Sequence, residues 1–237
     1  HCGNDAREIA LTETDKNRRR AMTRTNPRYI VVDVERRTFT GSRENYTMSD
    51  KPISRYPVPE INDLPDDIKA RVLAVQEKAG FVPNVFLALA HRPDEFRAFF
   101  AYHDALMERE GNLSKAEREM IVVATSNDNN CQYCVVAHGA ILRIYAKDPL
   151  ISDQVAINYR KADITPRQTA MLDFAMKVSN DAKAISDADF EILRGHGFDD
   201  EDIWDIAGIT AFFGLSNRMA NFTSMRPNSE FYSMARG

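Results

Sequence analysis

After residue 48 the chain has no strand-length run in which β-branched and polar residues alternate; its apolar residues recur near the 3.6-residue period of a helix. A sheet has nothing to be built from, so the expected fold class is all-α. Asp63 to Lys78 sets Ile68, Val72 and Val75 near one face before Gly80 stops the pattern. Pro83 to Ala90 is a short apolar helix candidate. Pro93 to Glu110 places Phe96, Phe99, Phe100, His103, Leu106 and Met107 mostly on one side, and Gly111 ends it. Ser114-x-x-Glu117 is a capping box, in which the hydroxyl takes an orphan backbone amide and the carboxylate reaches back. It opens a helix to about Ser126. Asn127 to Asn130 break the pattern, and a new helix is expected from about Cys131 to Tyr145. Thr165-Pro166-x-Gln168 is another start, with Thr as cap and Pro at the first helical position. Ser186 and Asp199 begin two more, the last running to about Met225.

A short internal echo links Leu113-Ser114 and the helix through Ile121 to Phe198-Asp199 and the helix through Ile206. The same offset carries Cys131 and Cys134 onto Ser216 and Met219. The expected architecture is a single helical domain of two related helix-turn-helix units, with chemistry in the first only.

Residues 1–47 differ: polar, with Arg18, Arg19 and Arg20 in a row and one apolar stretch from Tyr29 to Val34. They are expected to be mostly disordered, with Met48 as a natural start and 48–237 as the folded domain. A chain of 237 residues, 43% hydrophobic, supports one substantial core without requiring a second. A net charge of -4 points to neither nucleic acid nor an anionic membrane. No apolar run approaches the roughly 20 residues of a membrane span, and no secretory pattern opens the chain, so the expected location is cytoplasmic. Three cysteines are too few for a disulfide scaffold; in a reducing compartment a close pair reads as metal-binding or redox-catalytic. Cys2 is given no role.

The segment from Glu119 to His138 carries the chemistry. Cys131 and Cys134 lie three apart, close to one helix face, and His138 lies one turn beyond Cys134. A thiol at a helix N-terminus or beside an imidazole has its pKa lowered from about 8.5 toward roughly 3.5–7.5. The second cysteine can close a disulfide once the first is oxidised. Glu119, on the preceding helix folded back by a short turn, can reach His138 and orient it, which gives nucleophile, base and orienter. Other readings fit less well. Structural zinc needs about four ligands, and only His103 is available to complete Cys131, Cys134 and His138; no metal and no cofactor is expected. A c-type haem would need His where Val135 stands, and a thioredoxin-type motif would need a preceding strand. Two small buried cysteines without function remain the bland alternative.

Glu119, eleven residues, Cys131-Gln132-Tyr133-Cys134, three residues, then His138 resembles the signature of the alkyl hydroperoxidase D group, within the carboxymuconolactone decarboxylase-like superfamily. Leu113 to Ile121 also resembles it. Gly80-Phe81-Val82-Pro83-Asn84 and Asn217-Arg218-Met219-Ala220 are similar to its longer, peroxidase-related branch. The likeness covers roughly 52–237 and implies an all-α fold, a homo-oligomer and a thiol-dependent peroxidase. On that analogy Cys134 attacks the hydroperoxide and becomes a sulfenic acid, and Cys131 resolves it to a disulfide. His138 and Glu119 form the proton relay, and an external dihydrolipoyl- or thioredoxin-type dithiol restores the pair. One departure is Tyr133, which stands where well-characterised relatives carry His; a phenol with a pKa near about 10 cannot share protons at neutral pH as imidazole does. Alternatives are a disulfide-exchange or redox-sensing protein using the same pair, a non-redox decarboxylase-like member, and a purely structural oligomer.

Outside this segment, His103 reads as a core or rim histidine, and His91 and His196 as loop residues. Trp204, Phe212, Phe213 and Phe222 recur at helical spacing as core or subunit interface. Arg218, inside an apolar helix, is expected to need an acidic partner in the chain or across an interface.

Overall fold

The computed structural model describes residues 51–236. The expectations about residues 1–47 and Met48 lie outside them. Ten α-helices and no strand occur among the described residues: α1 Asp66–Ala79, α2 Asn84–Leu89, α3 Pro93–Met107, α4 Lys115–Asp128, α5 Gln132–Ala146, α6 Ile151–Asn158, α7 Pro166–Asp181, α8 Asp187–Gly195, α9 Asp200–Phe222 and α10 Glu230–Ser233. None of them is long and apolar enough to cross a membrane.

The capping box expected at Ser114 forms and the Thr165 cap forms as a full box with Gln168; two more form at Ser186 and at Asp199, whose carboxylate accepts from the Asp202 amide while Asp202 reaches back. Gly80 ends α1 in the left-handed region at φ 82°, a conformation that costs glycine no Cβ clash. Several helix boundaries differ from expectation. α1 starts at Asp66 instead of Asp63, because Leu64 precedes Pro65 and the proline ring pushes it into extended backbone. α3 stops at Met107, short of Glu110, where the Arg118 guanidinium takes the Leu106 and Arg109 carbonyls. α9 stops at Phe222 instead of Met225, where Ser224 at φ 57° reverses the chain. The helix α6 was not foreseen; it is eight residues long and its N-cap, Leu150, offers no side-chain bond.

α4 and α5 form an antiparallel pair, joined by a turn in which Asn130 takes φ 52°. Asparagine tolerates that left-handed conformation better than most residues. Glu117 to Ser126 are buried without a break, so α4 is covered on every face. α9 runs alongside α4 in the same direction, with Asp205 beside Arg118 at one end and Asn217 bonded to Ser126 at the other. The echo therefore appears as two capped helices packed in register. Where the offset places the turn, however, α9 continues unbroken and brings Ser216 and Asn217 against the cysteine turn.

Two apolar clusters flank this frame. One gathers α4, α7 and α9 around Ile121, Leu172 and Ile206; the other gathers α1, α2, α3 and α5 around Val72, Phe96 and Ala140 and includes both cysteines. Phe212 and Phe213 are core, while Trp204 and Phe222 are 72% and 49% exposed on α9. Arg218 is also exposed and donates to the Gly214 carbonyl of its own helix. Among the described residues no carboxylate pairs with it.

Arg118 is the polar anchor of the frame. It is 1% exposed, donates to the carbonyls of Leu106, Arg109 and Leu113, and faces Asp205 at 3.5 Å. Burial raises the Asp205 pKa, an effect that Arg109 and Arg118 offset only in part. Arg118→Ala would leave three carbonyls and this carboxylate short of donors, a loss of about 3–5 kcal/mol. Urea unfolding of the variant is expected to show a midpoint lowered to match, and an unchanged midpoint would remove Arg118 from this role.

Candidate functional site

Cys131 is the N-cap of α5, and its sulfur accepts the Cys134 amide at 3.4 Å. Cys134 lies one turn in, His138 the next, and the turn into α4 returns Glu119 to face them. His138 Nδ1 lies 2.7 Å from Glu119 Oε2, with the carboxylate 7% and the imidazole 14% exposed. Phe213 meets the imidazole edge-on at 4.8 Å between ring centres. With Nδ1–H donated to the carboxylate, Nε2 is left to exchange a proton. The four residues singled out in the sequence thus occupy one end of the α4–α5 pair.

Both cysteines are 1% exposed and unbridged. The Cys131 pKa is lowered to about 7, chiefly by the hydrogen bond from the Cys134 thiol, and further by the Cys134 amide, the Asn217 amide and the neighbouring His138; burial opposes them. Cys134 is pushed up, first by that same bond to Cys131, then by burial and by the negative charge beside it. The two sulfurs titrate as a pair, the first proton leaving more readily than from a free thiol and the second held more tightly. Cys134 and His138 line a cavity of about 760 Å³, and Cys131 is not among the residues that line it.

Asn217 belongs to the site and was noticed in the sequence only as part of a supporting phrase. It is 0% exposed, donates to Ser126 Oγ at 2.8 Å, accepts from Asn129 at 3.0 Å, and favours the ionised form of both cysteines. Ser216 Oγ lies 3.9 Å from Cys134 Sγ. Tyr133, between the cysteines, is turned away from proton chemistry: burial raises its pKa, and its hydroxyl accepts the Val85 amide of α2 at 3.1 Å. It ties the cysteine turn to the cavity wall. That wall is held by a clasp in which Asn228 accepts from the Asn84 amide and donates to Val82, while Asn84 donates to Arg226.

His103, expected in the core or at its rim, lines the same cavity as Cys134 and His138. Its Nδ1 lies 3.1 Å from Asp104 Oδ1. Among the described residues no three His, Cys, Asp or Glu are grouped as metal ligands.

Residues 93–148 match the carboxymuconolactone decarboxylase family. The fold is similar to the alkylhydroperoxidase AhpD core of an uncharacterized peroxidase-related protein from Ralstonia eutropha JMP134, which is 73% identical. That match has a TM-score of 0.78 and covers 79% of this chain and 98% of that one. An uncharacterized peroxidase-related protein from Silicibacter sp. TM1040 is 45% identical, with a TM-score of 0.75 over 78% of this chain and 97% of that one. The debrominase Bmp8 shares the fold at 18% identity, with a TM-score of 0.63 over 79% of this chain and 97% of the other. No protein of curated function matches.

The shared-proton arrangement predicts a thiolate ultraviolet transition with its midpoint near the Cys131 value of about 7. Cys131→Ser should abolish it, and Asn217→Ala should move it to higher pH. A wild-type transition confined to the range of free cysteine, above about pH 8, would contradict the arrangement.

Proposed function

We propose that this chain, which belongs to the alkyl hydroperoxidase D-like branch of the carboxymuconolactone decarboxylase family, reduces organic hydroperoxides through a Cys131/Cys134 dithiol–disulfide cycle. The observation that carries the reading is the division of labour between the two sulfurs. The pair's more acidic sulfur is Cys131, which does not line the cavity, while Cys134 meets the cavity beside the His138–Glu119 pair.

In the resting pair, His138 takes the first thiol proton, and Glu119 holds its Nδ1 and stabilises the imidazolium. As a hydroperoxide ROOH enters, the remaining shared proton shifts to Cys131 and the Cys134 thiolate attacks the terminal oxygen. An S–O bond forms and the O–O bond breaks, giving Cys134–SOH and an alkoxide that takes its proton from His138 to leave as ROH. Cys131 then attacks the sulfenic sulfur, water departs, and a disulfide closes. The sum is two thiols and ROOH to one disulfide, ROH and water. An external dithiol, of dihydrolipoyl or thioredoxin type, returns the pair by thiol–disulfide exchange.

A cavity of about 760 Å³ walled by Phe86, Phe99, Phe100 and Phe213 suits a bulky organic hydroperoxide better than hydrogen peroxide, which would leave most of the apolar wall unfilled. The exposed Trp204, Leu215 and Phe222 on α9 support self-association of the chain.

With a dithiol supplied, the purified protein should consume cumene hydroperoxide faster than hydrogen peroxide. Cys134→Ser and Cys131→Ser should lose turnover, and His138→Ala should be slowed by about 100-fold or more. If Cys134→Ser instead keeps full turnover, or if only a mixed disulfide with a partner protein depends on the pair, the disulfide-exchange reading replaces this one.

A further inference from the structure

The cavity holds a second imidazole that the cycle above does not use. His103 is carried on α3, on the wall facing α5, with 24% of its side chain exposed. Its Nδ1 faces Asp104 Oδ1, and Asp104 is gripped through both oxygens by Arg71 of α1, at 2.9 Å each. The Arg71 guanidinium lies over the Phe100 ring at 4.8 Å, which fixes it against the wall of α3. Burial works against the Asp104 carboxylate, yet the bonds from Arg71 and His103 hold its pKa below the ordinary value. An ionised Asp104 can only accept, so Nδ1 carries the hydrogen and Nε2 is left with a lone pair.

Other groups around His103 disfavour its charged form. Phe100 lies on its own helix, and Phe212 and Phe213 of α9 meet it edge-on from 6.0 and 6.3 Å. Burial in this aromatic setting lowers its pKa, Asp104 opposes, and the charges of His138 and Glu119 reach it from α5 and α4 with opposite signs. The result is a fixed hydrogen-bond acceptor on the cavity wall, in a space shared with Cys134 and otherwise lined mainly by apolar and aromatic side chains.

Resting on the peroxidase reading, we propose that His103 is a substrate-orienting catalytic residue: its Nε2 accepts the hydroperoxide O–H and turns the terminal oxygen toward Cys134, with the organic group lying among Phe86, Phe99 and Phe100. A hydroperoxide has one hydrogen-bond donor, that terminal O–H, and it sits on the oxygen that sulfur must attack. An acceptor that captures it fixes which oxygen is presented. The hydrogen stays on that oxygen through the attack and ends on Cys134–SOH, so His103 orients the substrate without gaining or losing a proton. His138 alone supplies the proton to the departing alkoxide. Asp104 and Arg71 act on the reaction only through His103 and are positioning residues.

The test is the rate of Cys131–Cys134 disulfide formation in a single turnover, with cumene hydroperoxide and, separately, with diamide, which oxidises a dithiol without presenting an O–H. His103→Leu should lower the hydroperoxide rate about 100-fold, as misoriented reactants do, and leave the diamide rate at the wild-type value. His103→Gln, whose carboxamide oxygen can accept, should stay within about 10-fold of wild type with hydroperoxide. The inference is overturned if the Leu variant reacts with hydroperoxide as wild type does, if it loses the diamide reaction equally, or if the Gln variant is as impaired as the Leu variant. A wild type oxidised by diamide but inert to hydroperoxide overturns the peroxidase reading and this inference with it, whereas loss confined to the His103 comparisons leaves the peroxidase reading standing.

Discussion

In most helices the N-cap side chain is an oxygen that accepts an orphan amide. In α5 it is the sulfur of Cys131, which accepts the Cys134 amide at 3.4 Å. The local requirement of the helix and the chemistry of the pair therefore meet in one bond. An amide aimed at sulfur, at the positive end of the helix, favours a thiolate there. The Cys134 thiol adds a second donor and thereby rises in pKa itself. The remainder of the structure keeps this turn in place.

That support is polar and buried, which makes it exacting. Asn217 is fully enclosed and serves Ser126, Asn129 and the thiols together. Arg118 closes the far end of the α4–α9 contact, and Arg143 secures the C-terminal segment by donating to Phe231 and Met234. A buried network of this kind stabilises one geometry when every member is paired and destabilises strongly when one is removed. The cavity beside it is lined instead mainly by apolar and aromatic side chains.

The helices from Ser114 and Thr165 were legible because their caps are local: the residues that start them sit three apart in sequence. The Glu119–His138 contact was legible for a related reason, since one short antiparallel turn separates its partners. Asn217 was not, because its partners Ser126 and Asn129 are 91 and 88 residues away and nothing local marks it. His103 sits at the rim as its aromatic surroundings led one to expect, but its setting was not legible, because Arg71, which fixes its partner Asp104, lies on another helix. Tyr133 shows a third case. The sequence raised a question about proton transfer, and the fold answers it with the Val85 amide. The end of α3 could not be read locally either, because Arg118 supplies the carbonyl partners from the following helix.

The most direct measurement of the dithiol cycle is peptide mass spectrometry of reduced protein after one equivalent of cumene hydroperoxide, quenched with an alkylating reagent. The account predicts a disulfide joining the Cys131 and Cys134 peptides in the wild type, and, in Cys131→Ser, a sulfenic acid at Cys134 that a carbon-acid trap captures. A sulfenic acid trapped at Cys131 in Cys134→Ser but absent from Cys134 in Cys131→Ser would contradict the assignment of the attacking sulfur. Both thiols remaining alkylatable, with the hydroperoxide recovered intact, would contradict the cycle itself.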